Sequence, residues 1–257
     1  MSIYEVRVVS LLPELLEPVE HYGVVGRACE RGLVRIGHVS PRAYAIDVHR
    51  TVDDRPYGGG PGMVLKYEPL RDAVRAARKE LPDGSREFLL SAQGRALDQA
   101  LVEELASAPG LLLVAGRYEG VDERIIPGEG LEELAIGDYV LSGGELAAAV
   151  VIDAVSRLLP GVLGHEESAR QESHSTGLLD FPQYTRPESV DGMDVPKVLL
   201  DGHHEAVRQW RLKQALGRTW RRRPAMLQRR ALTHEEQVLL EEFIEEREFV
   251  PSDGELG

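Results

Sequence analysis

The sequence predicts an α/β domain built on a parallel sheet, followed by a smaller, all-helical region. Three observations carry that expectation. Short apolar runs alternate with stretches of helical period as far as Leu159. Leu111–Ala115 is apolar at every position, as a parallel strand buried on both faces requires. From Leu178 onward the periodicity is helical, and no further strand is expected.

Each element follows from local chemistry. Val6–Leu12 reads as a first strand, and Pro18–Arg31 as a helix that ends near Gly32. Arg35–Val48 reads as a second strand region interrupted by Pro41. Thr51–Met63, rich in glycine and proline, is a long loop. Pro69–Glu80 is a helix that starts on a proline, where the missing N–H is harmless. Phe88–Ser91 is a short strand leading into Gln93-Gly94-Arg95, and Asp98–Ala106 is the next helix. The strand Leu111–Ala115 empties into Gly116–Arg124. The glycine-rich stretch Ile136–Glu145 runs straight into the apolar helix Leu146–Leu159, which Pro160-Gly161 ends. Ser142 and Glu145 have the S-x-x-E spacing of a capping box, and Gly143 and Gly144 leave bare backbone that another molecule can approach. A bend of this kind closing on a buried helix marks a ligand site. The expected organisation is an α/β domain over 1–163, a polar linker over 164–177 and a helical domain over 178–257.

Composition narrows the function classes. With 42% apolar and 28% charged residues, the 257-residue chain is an ordinary globular protein with a sizeable core. Leu146–Leu159 carries Asp153 and Arg157 and is too short to span a bilayer, so no membrane association is expected. Glu5 and Arg7 interrupt the apolar residues of Met1–Leu12, so no signal peptide is expected and the cytoplasm is the default. The single cysteine, Cys29, excludes an internal disulfide, a multi-cysteine zinc site and a cysteine-ligated iron–sulfur cluster. A net charge of −13 argues against whole-molecule attraction to nucleic acid. That average hides a segregation. Ala206–Ala231 contains nine Lys and Arg residues and no acid, whereas Glu235–Glu255 contains nine acids and one base, Arg247. Either block alone reads as a solvated helix face. The basic block also carries Trp210 and Trp220, with Arg208, Arg211, Ala215, Arg218 and Arg222 at three- and four-residue steps on one side of a helix. Such a stripe contacts phosphates and stacks on bases.

Several catalytic motifs are absent. Tyr57–Met63 is no phosphate loop, because Lys66 follows Gly62 too late and no Ser or Thr comes after it. No G-x-G-x-x-G joins an early strand to a helix, no H-E-x-x-H occurs, and His203 and His204 are adjacent, so no metal site is expected. A G-x-S-x-G nucleophile elbow is also missing. Glu119, Asp122, Asp138, Glu172 and Asp180 remain as carboxylates without an assigned role, and a solvated surface charge is the ordinary state of such a group. Asp53, Asp54 and Arg55 serve either as a turn staple or as part of a substrate lid.

Taken together, six segments resemble one family. They are Arg50–Met63, Gly116–Arg124, Ile136–Glu145, Pro160–Gly164, Tyr184–Pro187 and Arg211–Thr219. They are similar to the bacterial tRNA (guanine-N1)-methyltransferases, which modify the guanosine at position 37, immediately 3′ of the anticodon. The similarity runs in register from about Val8 to the helix at Leu239.

The resemblance implies a deep trefoil knot (SPOUT-like) in the α/β domain, an exception to the rule of unknotted chains, plus a small helical C-terminal domain. It implies a homodimer whose active site is shared between subunits, with S-adenosylmethionine bent inside the knot on three loops. Carried onto this chain, the cofactor loops supply Leu89, Leu90 and Ser91; then Gly116, Tyr118, Glu119 and Gly120; then Ile136, Gly137, Asp138, Tyr139, Val140, Leu141, Gly143 and Gly144. Bare backbone at the glycines lets N–H and C=O groups read an adenine edge. N1 of guanine is protonated at neutral pH, so a general base must take that proton while charge develops toward O6. The family's charge stabiliser aligns with Arg157, whose other use would be to complement a helix dipole. The family's base is a linker aspartate of the opposite subunit, where this chain has Glu172. The extra methylene moves the carboxylate by roughly 1 Å, and Asp180 is the reserve candidate. Asp53, Arg55, Gly58, Gly59 and Asp180 are expected to hold the flipped guanine, and Lys213, Arg218, Arg221, Arg222 and Arg223 the tRNA phosphates. The resemblance also implies magnesium, for which the sequence shows no ligand cluster. Two other readings stand beside this one: a knotted enzyme acting on a ribose 2′-hydroxyl, and a non-catalytic RNA-binding module with a degenerate cofactor site. Thr51–Met63 and Tyr184–Pro187 argue against the first, because they match outside the shared cofactor loops. If cations confined to one face bind RNA, affinity measured across a salt series falls steeply as counterions are released. An affinity independent of salt contradicts this.

Overall fold

The run Gly110–Ala115 forms the central strand β6, and all six residues are buried, as a strand covered on both faces must be. Tyr4–Val9 (β1) and Arg86–Ala96 (β5) flank it, with Val6 opposite Leu111 and Phe88 opposite Leu113. Val34–Val39 (β2) and Glu132–Ala135 (β7) form the edges, so the order is β2-β1-β6-β5-β7, every pairing parallel. The computed structural model describes residues 3–163 and 177–248, and the chain divides into two compact units, Met1–Glu166 and Glu167–Gly257. The sheet belongs to the first.

Parallel neighbours need crossovers, and helices supply them on both faces. Glu17–His21 (α1), Gly23–Glu30 (α2), Gln99–Ser107 (α4) and Glu145–Ser156 (α6) share one apolar layer, in which Val6, Phe88, Leu111 and Leu113 meet Leu16, Val25, Leu101, Leu105, Val151 and Ile152. On the other face Tyr67–Arg78 (α3) and Ile125–Glu129 (α5) cover Val9, Leu89, Leu112 and Val114 with Leu70, Ala73, Val74 and Ile125. Alternate strand residues divide between the two layers, as period-2 geometry dictates. Asp98 caps α4 by accepting from the Leu101 N–H at 2.9 Å.

The structure departs from the sequence reading in several places. The expected helix Pro18–Arg31 is broken at Tyr22, whose backbone is extended, and Gly23 has φ +71°. The second strand stops at Val39, and Pro41–Tyr44 is a 3-10 turn rather than a continuation. β7 was not expected at all. Two residues at each end of the glycine loop pair as a short ladder, Asp53–Asp54 (β3) with Val64–Leu65 (β4). The short strand at Phe88 extends to Ala96 through an irregularity: Leu90 and Arg95 both lie opposite Leu134, so the residues between them are thrown out of the ladder.

In the second unit, Ser189–Val190 (β8) and Met193–Asp194 (β9) make a small hairpin, where no strand was expected because two residues show no periodicity. His204–Arg222 (α7), Pro224–Gln228 (α8) and His234–Glu248 (α9) follow. α7 packs on α9, with Leu178, Ala215, Leu216 and Leu239 as its core. Among the described residues, no helix is long and apolar enough to cross a membrane.

At the β5 irregularity, the space beside Gly94 is taken by the main chain of Glu133 and Leu134, so a Cβ there collides with backbone. Gly94→Ala is therefore expected to cost about 3 kcal/mol, at the upper end of overpacking effects, measured by urea denaturation. An unchanged midpoint contradicts this close approach of main chains.

Candidate functional site

Three bends meet at the carboxyl ends of parallel strands, where open α/β sheets bind ligands. Ser91–Gln93 is the excursion within β5, Gly116–Gly120 leaves β6, and Ile136–Gly144 leaves β7 to enter α6. They enclose a cavity of about 330 Å³, within the range of small-molecule sites. Leu89, Leu90, Leu134, Ala135, Ile136 and Ala147 are its apolar lining, and the bends add Gly116, Gly120, Gly137, Gly143 and Gly144, which have no side chains. The bends are tied together. Gly144 N–H donates to the Gly116 carbonyl at 2.9 Å, and Leu97 N–H donates to the Ala135 carbonyl at 2.8 Å. Gly144 is packed so tightly that a Cβ would lie 2.7 Å from Ala115 Cα. Tyr118 has φ +62°, a conformation that costs a non-glycine residue energy and is most often kept at binding sites.

A buried ion pair reinforces the same junction. Glu145 is fully buried and accepts from Ser10 Oγ at 2.8 Å and from Arg117 Nε at 3.0 Å. The expected capping box is therefore not formed: Gly144 is the N-cap and no side chain caps α6. Its charge-assisted bonds to Arg117 draw the Glu145 carboxylate away from the helix N–H groups. Nearby, hydrogen bonds from Arg124 hold the Asp122 carboxyl below its ordinary pKa, and burial opposes them only in part. Asp122 is thereby a partner of Arg124, not a free proton acceptor.

Of the fifteen residues expected to hold a cofactor, all but Asp138 line this cavity, and Asp138 is exposed. Sequence reasoning missed Arg117, Gln93 and the β7 residues Glu133, Leu134 and Ala135. Arg117 and Gln93 sat inside the quoted turns, and a cation beside an apolar strand end, needing a buried acid, was the available signal. Arg55, Gly58 and Gly59 are exposed and do not line the cavity, nor does Asp53 in β3. Their loop is nonetheless anchored to the wall. Glu119 N–H donates to the Met63 carbonyl at 3.0 Å, and Leu65 N–H donates to the Gly120 carbonyl at 3.0 Å.

Of the expected catalytic groups, Arg157 is in the same unit as the cavity and does not line it. Arg157 is the half-buried C-cap of α6, and the 12-residue helix sets it about 20 Å along the axis from Gly144. Glu172 lies outside the described residues, as do all but the last residue of the expected linker. Asp180 is half-buried, and its Oδ1 accepts from Phe181 N–H at 2.8 Å.

The basic block is less free than its composition suggests. Lys213 Nζ lies 3.1 Å from Glu242 and 2.6 Å from Glu246, and Arg208 pairs with Glu205 and Glu235. Arg218 donates to the Asp180 carbonyl at 3.4 Å. Arg221, Arg222 and Arg223 are exposed, and no ion pair among the described residues involves them. Nor, among the described residues, are three His, Cys, Asp or Glu side chains grouped so as to hold a metal ion.

Residues 4–229 match the family described as tRNA (Guanine-1)-methyltransferase TrmD. A tRNA (guanine-N(1)-)-methyltransferase of Methylococcus capsulatus is 60% identical over 96% of this chain and 98% of its own length. Those of Chromohalobacter salexigens and Salmonella paratyphi A are 58% and 59% identical, each over 92% of its own length and 93% and 92% of this chain.

Removing the buried carboxylate with Glu145→Ala leaves the Arg117 guanidinium, only 20% exposed, without its partner. The expected cost is about 3 kcal/mol, read from the denaturation midpoint, with a double-mutant cycle against Arg117→Ala returning much of it. Additive losses contradict the coupling.

Proposed function

Because the chain belongs to the tRNA (guanine-1)-methyltransferase family, we propose that the three-bend cavity holds S-adenosylmethionine for methyl transfer to N1 of the guanine 3′ of the tRNA anticodon. The observation that carries this reading is that the cavity walls lie wholly within the family-matched span of the chain. The activity itself, methylation of N1 of guanine in tRNA, is that of the family, which sets aside the ribose 2′-hydroxyl reading.

The residues present fit such a donor. An apolar lining of Leu89, Leu90, Ile136 and Ala147 suits the faces of a purine, and the main chain of the bends offers N–H and C=O groups to its edge. Glu119, Glu123, Glu133 and Arg117 are the charged residues lining the cavity, at hand for hydroxyl, ammonium and carboxylate groups. Bound there, S-adenosylmethionine supplies a methyl carbon made electrophilic by its sulfonium. The protein's task is then to orient guanine and move one proton. Glu172 takes the proton from N1, with Asp180 as the alternative carboxylate, so that the nitrogen lone pair faces the carbon. Arg157 meets the negative charge that grows on O6. The loop anchored beside Gly120, carrying Asp53, Arg55, Gly58 and Gly59, closes over the flipped base. No step is assigned to magnesium.

Two features of unit 1 favour a knotted, dimeric enzyme. The β5 excursion packs hard against β7 at Gly94, and Gly144 packs against the end of β6, close main-chain passages of the kind a knot demands. On α6, Leu146 and Val150 lie one turn apart and stay 53% and 47% exposed, and Leu12 and Leu15 are exposed at the neighbouring 3-10 turn that packs on α6. Apolar side chains so placed suit a second copy of the chain, and the distance of Arg157 from Gly144 suits a site completed across that interface. In unit 2, Arg218 and the exposed Arg221, Arg222 and Arg223 are the cations for tRNA phosphates, whereas Lys213 is held by two glutamates.

Glu172→Gln tests the proton transfer. Methyl incorporation into tRNA is expected to fall by about 100-fold or more, with the calorimetric signal of S-adenosylmethionine binding kept. Near-normal turnover removes Glu172 from the role and passes it to Asp180.

A further inference from the structure

Unit 2 contains a second cavity, of about 930 Å³, to which methyl transfer gives no role. Its wall is the irregular segment Phe181–Ser189, closed by Leu199, Leu200 and the first turns of α7. Two flat groups are displayed there. The Tyr184 ring is 48% exposed and leans on Trp210, ring centroids 6.4 Å apart and planes tilted by 51°. The Arg211 guanidinium lies over the Phe181 ring, 4.8 Å from its centroid, a contact that favours one placement of the group. Gln183, Thr185 and Ser189 add donors and acceptors between these faces.

Aromatic and guanidinium planes with polar edges between them suit a flat heterocycle that is stacked on its faces and hydrogen-bonded on its rim. The surrounding charge says what carries it. Arg211, Arg218 and Arg222 recur at steps of seven and four along α7, so one side of that helix carries cations from the cavity toward the exposed Arg221–Arg223 group. A polyanion following that line would bring its bases past Tyr184.

We propose that this cavity accepts an unpaired nucleobase of the bound tRNA, a base other than the one methylated. The proposal rests on the tRNA reading above. Stacking on Tyr184 and the Arg211 plane supplies affinity that is independent of charge, and the arginine line supplies the salt-dependent part.

The test uses the full chain and an unmodified tRNA transcript, with binding measured over a series of salt concentrations. Tyr184→Ala is expected to weaken binding about tenfold, because each base–aromatic stack contributes on that scale, while Tyr184→Phe stays within about twofold of the unaltered protein. The slope of log affinity against log salt stays the same in Tyr184→Ala, because a lost stack releases no counterion. Arg222→Ala is expected instead to lower that slope by about one. Photocrosslinking from 4-thiouridine-substituted tRNA should mark the peptide around Tyr184 in the unaltered protein. The proposal is overturned if Tyr184→Ala binds as the unaltered protein does, or if its salt slope changes. It is also overturned if affinity is lost together with dissociation of an oligomer in sedimentation, which assigns the cavity to a second copy of the chain. Failure of the unaltered protein to bind tRNA at all sinks the RNA reading itself, a separate result.

Discussion

Unit 1 depends on a double tie between two adjacent residue pairs. Gly116 and Arg117 leave β6; Gly144 and Glu145 enter α6. The glycines join backbone to backbone at 2.9 Å, and the charged neighbours join side chain to side chain at 3.0 Å. The approach to α6 leaves little room for side chains. A Cβ on Gly144 meets Ala115, and one on Gly143 would lie 2.6 Å from Glu145 Oε2. Ser10, just past β1, extends the tie to a third strand end through its hydroxyl. Two bends that would be mobile as isolated loops are thus fixed against the sheet. Bends held in this way lower the ordering cost of binding.

Much of this was legible in the sequence because it lies in local chemistry. The buried strand Leu111–Ala115, the helix that starts at Asp98 and the glycine-rich approach to α6 all follow from short-range rules. What escaped depended on distant partners. Ser142 and Glu145 have the spacing of a capping box, yet Glu145 serves Arg117, 28 positions earlier in the chain, and Ser10, 135 positions earlier. β7 is only four residues long and begins with Glu132 and Glu133, so neither alternation nor a buried run identified it. It is a strand because β5 offers it an edge. Gly94 follows the short strand in the sequence with nothing to mark its role, whereas the main chain of Glu133 and Leu134 occupies the space a side chain would need.

The charged blocks of unit 2 teach a related lesson. Composition showed a basic stretch followed by an acidic one, but not that α7 and α9 would pack together and consume some of both. Lys213 and Arg208 are held by α9 glutamates, and Arg230 by Glu236. The cations left exposed at the end of α7, Arg221 to Arg223, form a compact group whose field is not cancelled by neighbouring acids within ion-pair distance among the described residues. A chain of net charge −13 thereby keeps a local anion-attracting face while its acids suppress indiscriminate binding elsewhere.

The central claim is that the cavity between the three bends receives the methyl donor. Amide hydrogen exchange with and without S-adenosylmethionine tests it directly, because bound main-chain groups exchange more slowly. The account requires new protection concentrated in Leu89–Gln93, Gly116–Gly120 and Ile136–Gly144. Protection confined to other segments, with those three unchanged at saturating donor, would contradict it.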